Sequence, residues 1–290
     1  MMTLCHSCRL CDLSCAAWRV SRDGESAPRA LVLMEQRQQS ISSWQLAFCT
    51  LCGACDAACP VGVQPMSLIV QQGEGEGVLQ RLSMASSPTG GRQLILSAEG
   101  RVAALFPDRE RLDDCGADIV QALAANRHVS VERRRQFVEP LLAGSSVVVA
   151  DGLLYYTLRR WLPSLTLVTL AEALLPRMAH HLRPGDLLLL DAPAFNVDQE
   201  RLLPLIQRAV MASGAMINLD LQRLATPLRS YRAGSEEALA ARWQWLRSER
   251  GVERVVVENP DDVEVVAAVG ELPVLWLGEL SGSGSVEAGC

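Results

Sequence analysis

The sequence predicts an α+β protein in which an α-helical N-terminal domain precedes a duplicated α/β domain with parallel sheets. Two observations lead to this prediction. Eight of the ten cysteines lie within the first 59 residues. From about residue 101, short apolar runs typical of strands alternate with amphipathic runs typical of helices. Strands that alternate with helices imply βαβ units, parallel sheets and right-handed crossovers.

The eight cysteines form two runs with the same spacing, C-x2-C-x2-C-x3-C. The runs are Cys5, Cys8, Cys11 and Cys15, and then Cys49, Cys52, Cys55 and Cys59, with Pro60 after the last. This is the spacing that bacterial ferredoxins use to hold 4Fe–4S clusters. Three thiolates on one tight turn can reach three corners of one small cube, whereas the fourth points away and binds the other cluster.

We therefore expect two 4Fe–4S clusters with crossed ligands. The first set would be Cys5, Cys8, Cys11 and Cys59, and the second Cys49, Cys52, Cys55 and Cys15. A disulfide framework is disfavoured because no signal peptide is recognised, so the thiols should stay reduced. Zinc is disfavoured because its paired C-x2-C knuckles need only two thiolates from each run.

The amino-acid composition argues against several classes of function. The chain has 290 residues and a formal net charge of −6, and its 27 strongly basic residues are all arginine. Sites that depend on a lysine are thereby excluded. No nucleic-acid motif is present, so we expect no nucleic-acid partner. The apolar runs are too short to span a bilayer, so we expect no transmembrane segment. A cytoplasmic protein is expected, either free or held at the inner membrane face through a partner.

The segment between the two runs completes the N-terminal pattern. Pro28 can open a helix, and Ala30, Leu31, Leu33 and Met34 give that helix an apolar stripe. The breaker clusters at 73–77 and 86–91 predict a linker. We therefore expect a helical domain over 1–75 and a linker over 76–100.

The α/β elements follow in order. Strands are predicted at 101–106, 128–131, 146–150, 165–170, 186–190, 215–219, 252–257 and 273–277. Helices are predicted at 112–125, 132–142, 153–161, 171–182, 198–212, 235–249 and 261–269. The pattern of four strands with three intervening helices occurs twice, which predicts modules at 101–182 and 183–280. A tail rich in Gly and Ser, 281–290, is expected to be flexible.

The block from Cys5 to Ile69 resembles the helical two-cluster ferredoxin domain in the ferredoxin-type subunit of heterodisulfide reductase. It is similarly close to the iron–sulfur subunits of glycolate oxidase and anaerobic glycerol-3-phosphate dehydrogenase. The resemblance rests on the two cysteine runs, on Ala27-Pro28-Arg29 with its helix, and on Cys59-Pro60-Val61-Gly62-Val63 followed by Leu68-Ile69. One departure is Ala16, where many relatives have proline.

The α/β half is similar only in scaffold to the paired cysteine-rich modules of those iron–sulfur proteins. Relatives carry a Cys-Cys-Gly motif, which places cluster or disulfide chemistry at the strand ends. No Cys-Cys-Gly occurs in this chain, and the predicted strand ends carry mostly acidic and proline residues, such as Asp151, Asp191, Asp220 and Glu258. The resemblance therefore implies degenerate modules, and the catalytic part of the family's chemistry is not carried over.

Three further features have plainer explanations. Asp151, Asp198, Asp220 and Asp261 lie where helix N-caps are wanted, so capping is favoured over metal binding. His180 and His181 diverge on a helix, and a favourable interaction with the helix C-terminus explains them. Cys115 lies near the start of a predicted helix, where its pKa could be lowered, although a lone thiol is more often a small buried residue.

The expected function is electron transfer by a non-catalytic subunit of an oxidoreductase complex. The donor would be a flavin-containing or other oxidoreductase subunit, and the acceptor a quinone, another iron–sulfur protein or a thiol-disulfide site. Two alternatives remain open. One is a disulfide reductase or dehydrogenase with its active site in the α/β half, using Cys115 or another cofactor. The other is a non-catalytic redox sensor or scaffold.

Overall fold

Short helices separated by the cysteine runs form the N-terminal region. The computed structural model describes residues 5–42, 45–46, 48–72, 91–227, 244, 248 and 250–280. The N-terminal helices are α1 (Leu10–Ser14), α2 (Ala16–Ser21), α3 (Pro28–Gln36), α4 (Ala54–Ala57) and α5 (Pro65–Gln72). Pro28 and Pro65 each occupy the first position of a helix, where the missing N–H of proline costs nothing.

The first α/β module contains a four-stranded parallel sheet in the order β2-β1-β3-β4. Its strands are β1 (Arg92–Leu96), β2 (Glu110–Arg111), β3 (Gly144–Val149) and β4 (Thr166–Thr169). Its helices are α6 (Gly100–Ala104), α7 (Ala117–Ala124), α8 (Val131–Leu141), α9 (Gly152–Trp161) and α10 (Leu170–Met178), and a 3-10 turn, Ala179–His181, follows α10.

The second module repeats this topology, with strand order β6-β5-β7-β8 and all pairs parallel. Its strands are β5 (Asp186–Leu189), β6 (Met216–Ile217), β7 (Arg254–Val257) and β8 (Val274–Trp276). Its helices in the described residues include α11 (Ala192–Val197), α12 (Gln199–Met211) and α13 (Asp262–Gly270). The predicted α+β class, with an α-helical N-terminal region followed by parallel sheets, is confirmed.

Two of the predicted strands are wrong. Residues 101–106 begin in helix α6, and the first strand is β1, inside the segment 76–100 that was predicted as a linker. Glycine-rich breakers before β1 obscured its apolar run, whose last three residues are buried. Residues 128–131 form no strand, because Ser130 caps α8 by accepting a 3.1 Å hydrogen bond from the N–H of Arg133. Helix α11 and strand β2 were not predicted at all.

Some predictions lie outside the described residues. These are the tail 281–290, most of the helix predicted at 235–249, and the linker up to residue 90.

The cores of the two halves are continuous with each other. Leu31, Leu51 and Met66 of the N-terminal region are buried in one cluster with Leu94 and Val147 of the first sheet. Cys52 and Ala54 belong to a second cluster that contains residues from both sheets. The N-terminal region therefore packs against the α/β half through shared core clusters.

Candidate iron–sulfur site

The two cysteine runs adopt the same local backbone. Ser7 and Leu51, at equivalent positions, have φ values of 55° and 57°, and Arg9 and Gly53 have 64° and 70°. These left-handed residues curl the chain so that backbone N–H groups turn toward sulfur. The N–H of Ser7 donates to Sγ of Cys5, and that of Leu51 donates to Sγ of Cys49, each at 3.4 Å. Such bonds favour thiolate ligands.

Cys59 of the second run lies near cysteines of the first. The pKa of Cys11 is raised to about 12, mainly by burial and also by the nearby charges of Asp12, Cys5 and Cys59. Cys5, Cys11 and Cys59 are three of the ligands predicted for the first cluster, and both Cys5 and Cys59 are close enough to Cys11 to affect its pKa.

Cys15 of the first run lies in turn near cysteines of the second. Burial raises the pKa of Cys15, with smaller contributions from Cys52 and Cys49. Burial and Asp56 raise the pKa of Cys55, followed by Cys49, Cys52 and Cys15. These neighbours are the four residues predicted for the second cluster.

The second set also surrounds a cavity. Four cysteines line it, Cys15, Cys49, Cys52 and Cys55. The remaining wall is largely apolar and includes Pro28, Leu31, Phe48, Pro65 and Ile69. Four cysteines beside one largely apolar space suit a cluster whose irons take thiolate ligands and whose potential depends on exclusion of water. The residues present therefore fit a 4Fe–4S cluster.

The two sets differ in their access to solvent. Cys11 of the first set is 8% exposed, and Cys52 and Cys55 of the second are 7% and 8% exposed. Cys8, however, is exposed, and no cysteine of the second set is. Access to solvent is therefore through Cys8 of the first set.

In each run, the aspartate that follows the third cysteine accepts hydrogen bonds from the start of another helix. Oδ1 of Asp12 accepts from the N–H of Arg29 at 3.1 Å, and Oδ2 accepts from Nε of Arg29 at 3.2 Å. Oδ1 of Asp56 accepts from the N–H of Met66 at 2.7 Å. Since Arg29 and Met66 are the second residues of α3 and α5, each aspartate caps a helix that is distant in sequence. Sequence reasoning missed this role, although the repeated Cys-Asp pair was its signal.

The second run is also tied to the α/β half. The hydroxyl of Tyr156, in α9, donates to Oδ2 of Asp56 at 2.6 Å. Burial raises the pKa of Asp56 to about 6, and the hydrogen bonds from Tyr156 and Met66 oppose this shift. Nδ2 of Asn196, in α11, donates to the carbonyl oxygen of Cys52 at 2.7 Å. The second run is therefore fixed against one helix of each module.

Carboxylates that follow two strands of the second module accept hydrogen bonds from helix N-termini of the first module. Asp191 follows β5, and its Oδ2 accepts from the N–H of Gly152, at the start of α9, at 2.9 Å. Glu258 follows β7, and its Oε1 accepts from the N–H of Ala171, in the first turn of α10, at 2.8 Å. Oε2 of Glu258 accepts from the N–H of Asp191 at 2.9 Å. These buried carboxylates satisfy helix N-termini across the junction between the modules.

The predicted caps have mixed outcomes. Asp151 caps α9 as predicted, accepting from the N–H of Leu154 at 2.8 Å. Asp198 and Asp261 occupy N-cap positions but their side chains make no capping bond. Asp198 instead accepts from the hydroxyl of Tyr155 at 2.6 Å. Asp220 holds a turn and caps no described helix, since its Oδ1 accepts from the N–H groups of residues 222 and 224.

The remaining candidates lie away from the cysteine runs. The rings of His180 and His181 lie 3.9 Å apart in the turn after α10. Cys115 lines a cavity near the ends of β1, β3 and β7. Within the described residues, no group of three His, Cys, Asp or Glu is arranged to hold a single metal ion. A cubane needs no such group, because each thiolate binds a different iron. No described helix has the length and apolar character to cross a membrane.

Comparison with known proteins agrees with the cysteine pattern. Residues 1–63 match the family model described as a 4Fe-4S dicluster domain, and this match supports an iron–sulfur protein. No curated protein matched the chain. The match covers the part of the chain in which the two cysteine runs lie.

Proposed function

We propose that this protein relays single electrons through two 4Fe–4S clusters as a subunit of an oxidoreductase complex. The 4Fe-4S dicluster match fits an electron-transfer role. The observation that carries the proposal is the cavity bounded by the thiols of Cys15, Cys49, Cys52 and Cys55, which belong to different runs. Such clusters exchange one electron at a time without a proton-transfer group. The chain supplies thiolates, apolar cover and N–H···S bonds that stabilise charge on sulfur.

The proposed ligand sets are crossed. Cys5, Cys8, Cys11 and Cys59 hold one cluster, and Cys15, Cys49, Cys52 and Cys55 hold the other. The difference in exposure supports a direction across the molecule. The set that contains the exposed Cys8 exchanges electrons with a partner, and the other set lies between it and the α/β half. The proposed donor is a flavin-containing or other oxidoreductase subunit. A quinone-linked partner at the membrane would give the same chain a peripheral position.

Metal analysis of anaerobically purified protein tests this proposal. The expected content is about eight irons and eight sulfides per chain, because two cubanes hold that number. Full reduction should give electron paramagnetic resonance signals from two interacting clusters. Stoichiometric zinc with little iron would contradict the proposal. A partner with flavin or another cofactor should co-purify with the chain.

A second candidate function is catalysis in the α/β half, and one cavity favours it. This cavity of about 180 Å³ lies near the carboxyl ends of β1, β3 and β7, where ligands of parallel sheets bind, and Cys115 lines it. Asn259 lines it too, is 1% exposed, and its Nδ2 has no hydrogen-bond partner within the described residues. A buried donor without a partner is costly, so a small ligand with an acceptor oxygen would be stabilised there.

Turnover separates the two functions. The catalytic function requires that the isolated chain convert a substrate and that Cys115→Ala or Asn259→Ala abolish turnover. The relay function requires turnover only with the partner and little effect of either substitution.

A further inference from the structure

We propose that a surface beside Cys8 docks an acidic redox protein, and this proposal rests on the electron-transfer function above. The surface is formed by Leu10, Leu13 and Leu221, hereafter the leucine patch, with an arginine rim of Arg9, Arg19 and Arg223.

The leucine patch is exposed although its residues are aliphatic. Leu10 is 38% exposed, Leu13 is 48% exposed, and Leu221 is 104% exposed. Clusters of exposed apolar side chains with a polar rim are typical of protein–protein interaction surfaces. Water contact with three leucines is unfavourable, and a docked partner would remove it.

Hydrogen bonds hold the turn that carries Leu221 against the helix that carries Leu10 and Leu13. Oγ of Ser14, the residue after Leu13, lies 2.7 Å from Oε1 of Gln222, the residue after Leu221. The same hydroxyl donates to the carbonyl oxygen of Leu10 at 2.9 Å. Nε of Arg19 donates to the carbonyl oxygen of Leu13 at 2.6 Å. The turn that carries Leu221 is thus fixed against α1.

The turn is held in shape before any partner arrives. Oδ1 of Asp220 accepts from the N–H of Gln222 at 2.8 Å and from that of Leu224 at 3.0 Å. The N–H of Asp220 donates back to the carbonyl oxygen of Leu224 at 2.9 Å. Leu219 and Ala225 close the turn as an antiparallel bridge. Presenting Leu221 on a fixed turn lowers the ordering entropy that binding costs.

The charges around the leucine patch indicate the sign of the charge on the partner's contact surface. Arg9, Arg19 and Arg223 are exposed, in a chain whose formal net charge is −6. Two carboxylates on the same segments, those of Asp12 and Asp220, already form ion pairs with arginines. Asp12 is buried and pairs with Arg29 at 3.2 Å. Asp220 lies 3.6 Å from Arg19 and offsets its charge, which leaves the charges of Arg9 and Arg223. The rim is therefore positive, which suits a partner with an acidic contact surface.

The position of Cys8 links the surface to electron transfer. Cys8 is exposed and lies two residues before α1, which carries two leucines of the patch. Electron transfer slows steeply with distance, so a partner must approach the ligand set that contains Cys8. A protein seated on the leucine patch would be beside it.

The experiment uses the full chain with both clusters loaded and oxidised. Flavodoxin hydroquinone, an acidic one-electron donor, is mixed with it at low ionic strength, and bleaching of the clusters is followed by stopped flow. Leu221→Asp should lower the second-order rate constant at least tenfold. Arg223→Glu, which lies outside the cysteine runs, should also lower it and flatten its decrease with added salt.

Matched controls isolate the surface. Met211→Asp replaces an apolar residue that is 79% exposed on α12, and Arg127→Glu reverses an exposed arginine after α7. Both should react like wild type, and dithionite should reduce all variants equally. The proposal is overturned if the patch variants react as fast as the controls, or if the controls slow equally. Failure of the wild-type chain to hold iron would instead refute the electron-transfer function.

Discussion

The carboxylate of Asp191, which follows a strand of the second module, accepts a 2.9 Å hydrogen bond from the N–H of Gly152, at the start of a helix in the first module. Asp191 makes no capping bond to its own helix. Glu258 acts in the same way on Ala171, so two strand ends of one sheet cap two helices beside the other. The modules are therefore joined by charge–dipole contacts as well as by their shared core.

Gly152→Ala should weaken this junction. A Cβ at this position would lie 1.9 Å from Oδ1 of Asp191 and 2.2 Å from its Cγ, so the carboxylate must move and the cap is lost. We expect destabilisation of about 2–3 kcal/mol from the clash and the lost cap together. A lower urea midpoint of the intact protein is the measurement. Gly24→Ala is the control, since a Cβ there meets nothing within 4 Å, and its midpoint should match wild type.

Glu258→Gln should change how stability depends on pH. Burial raises the pKa of Glu258 above its ordinary 4.5, and the N–H groups of Ala171 and Asp191 oppose the shift. A raised folded-state pKa means that protonation favours the folded protein. This contribution is present below the unfolded value and is lost as pH rises through the folded value.

The comparison that tests this is the urea midpoint of wild type minus that of the Gln variant. The difference should grow in favour of wild type as pH falls toward about 4.5. At neutral pH the variant should be less stable by about 1–3 kcal/mol. The NH2 group of Gln would replace one carboxylate oxygen and face the N–H of Ala171 or Asp191, so a hydrogen bond is lost. A difference that is independent of pH would contradict the assignment.

These capping contacts explain what the sequence could and could not predict. The cysteine spacing predicts an iron–sulfur site because, within each run, the thiols lie at fixed local intervals. Asp191 and Glu258 carry no such signal, since their partners are far away in sequence and in the other module. Local reasoning suggested a cap for Asp198, but a nearby tyrosine and two arginines take its carboxylate. Strand β1 was missed because breaker residues precede it.

Tyr156→Phe should disturb the second ligand set. It removes the 2.6 Å hydrogen bond to Asp56, which follows Cys55 and caps α5. We expect a loss of about 1–3 kcal/mol, because a buried carboxylate loses a donor. The electron paramagnetic resonance signal of the cluster near Cys55 should also change.

Tyr155→Phe provides the matched control for this change. Tyr155 is the neighbouring residue, and its hydroxyl also donates to a carboxylate at 2.6 Å, that of Asp198. Asp198 keeps ion pairs with Arg159 and Arg201. The control should therefore leave both cluster signals unchanged. Equal spectral changes in the two variants would rule out a specific link from Tyr156 to the second ligand set.

Cys15→Ser and Cys59→Ser should each damage the cluster of the other run. Cys15 lines the cavity that contains Cys49, Cys52 and Cys55, and Cys59 lies near Cys11. Each variant should lower the iron content from about eight to roughly four per chain, or convert one cluster, because a cubane takes four thiolates.

Electron paramagnetic resonance decides which cluster is lost. Cys15→Ser should keep the signal that Cys8→Ser removes, and Cys59→Ser should keep the signal that Cys52→Ser removes. Cys115→Ser is the control for the substitution itself, since Cys115 lines the cavity in the α/β half and should leave iron content unchanged. Loss of the same signal in Cys15→Ser and Cys8→Ser would show that each run holds its own cluster, and the crossed ligand sets would be wrong.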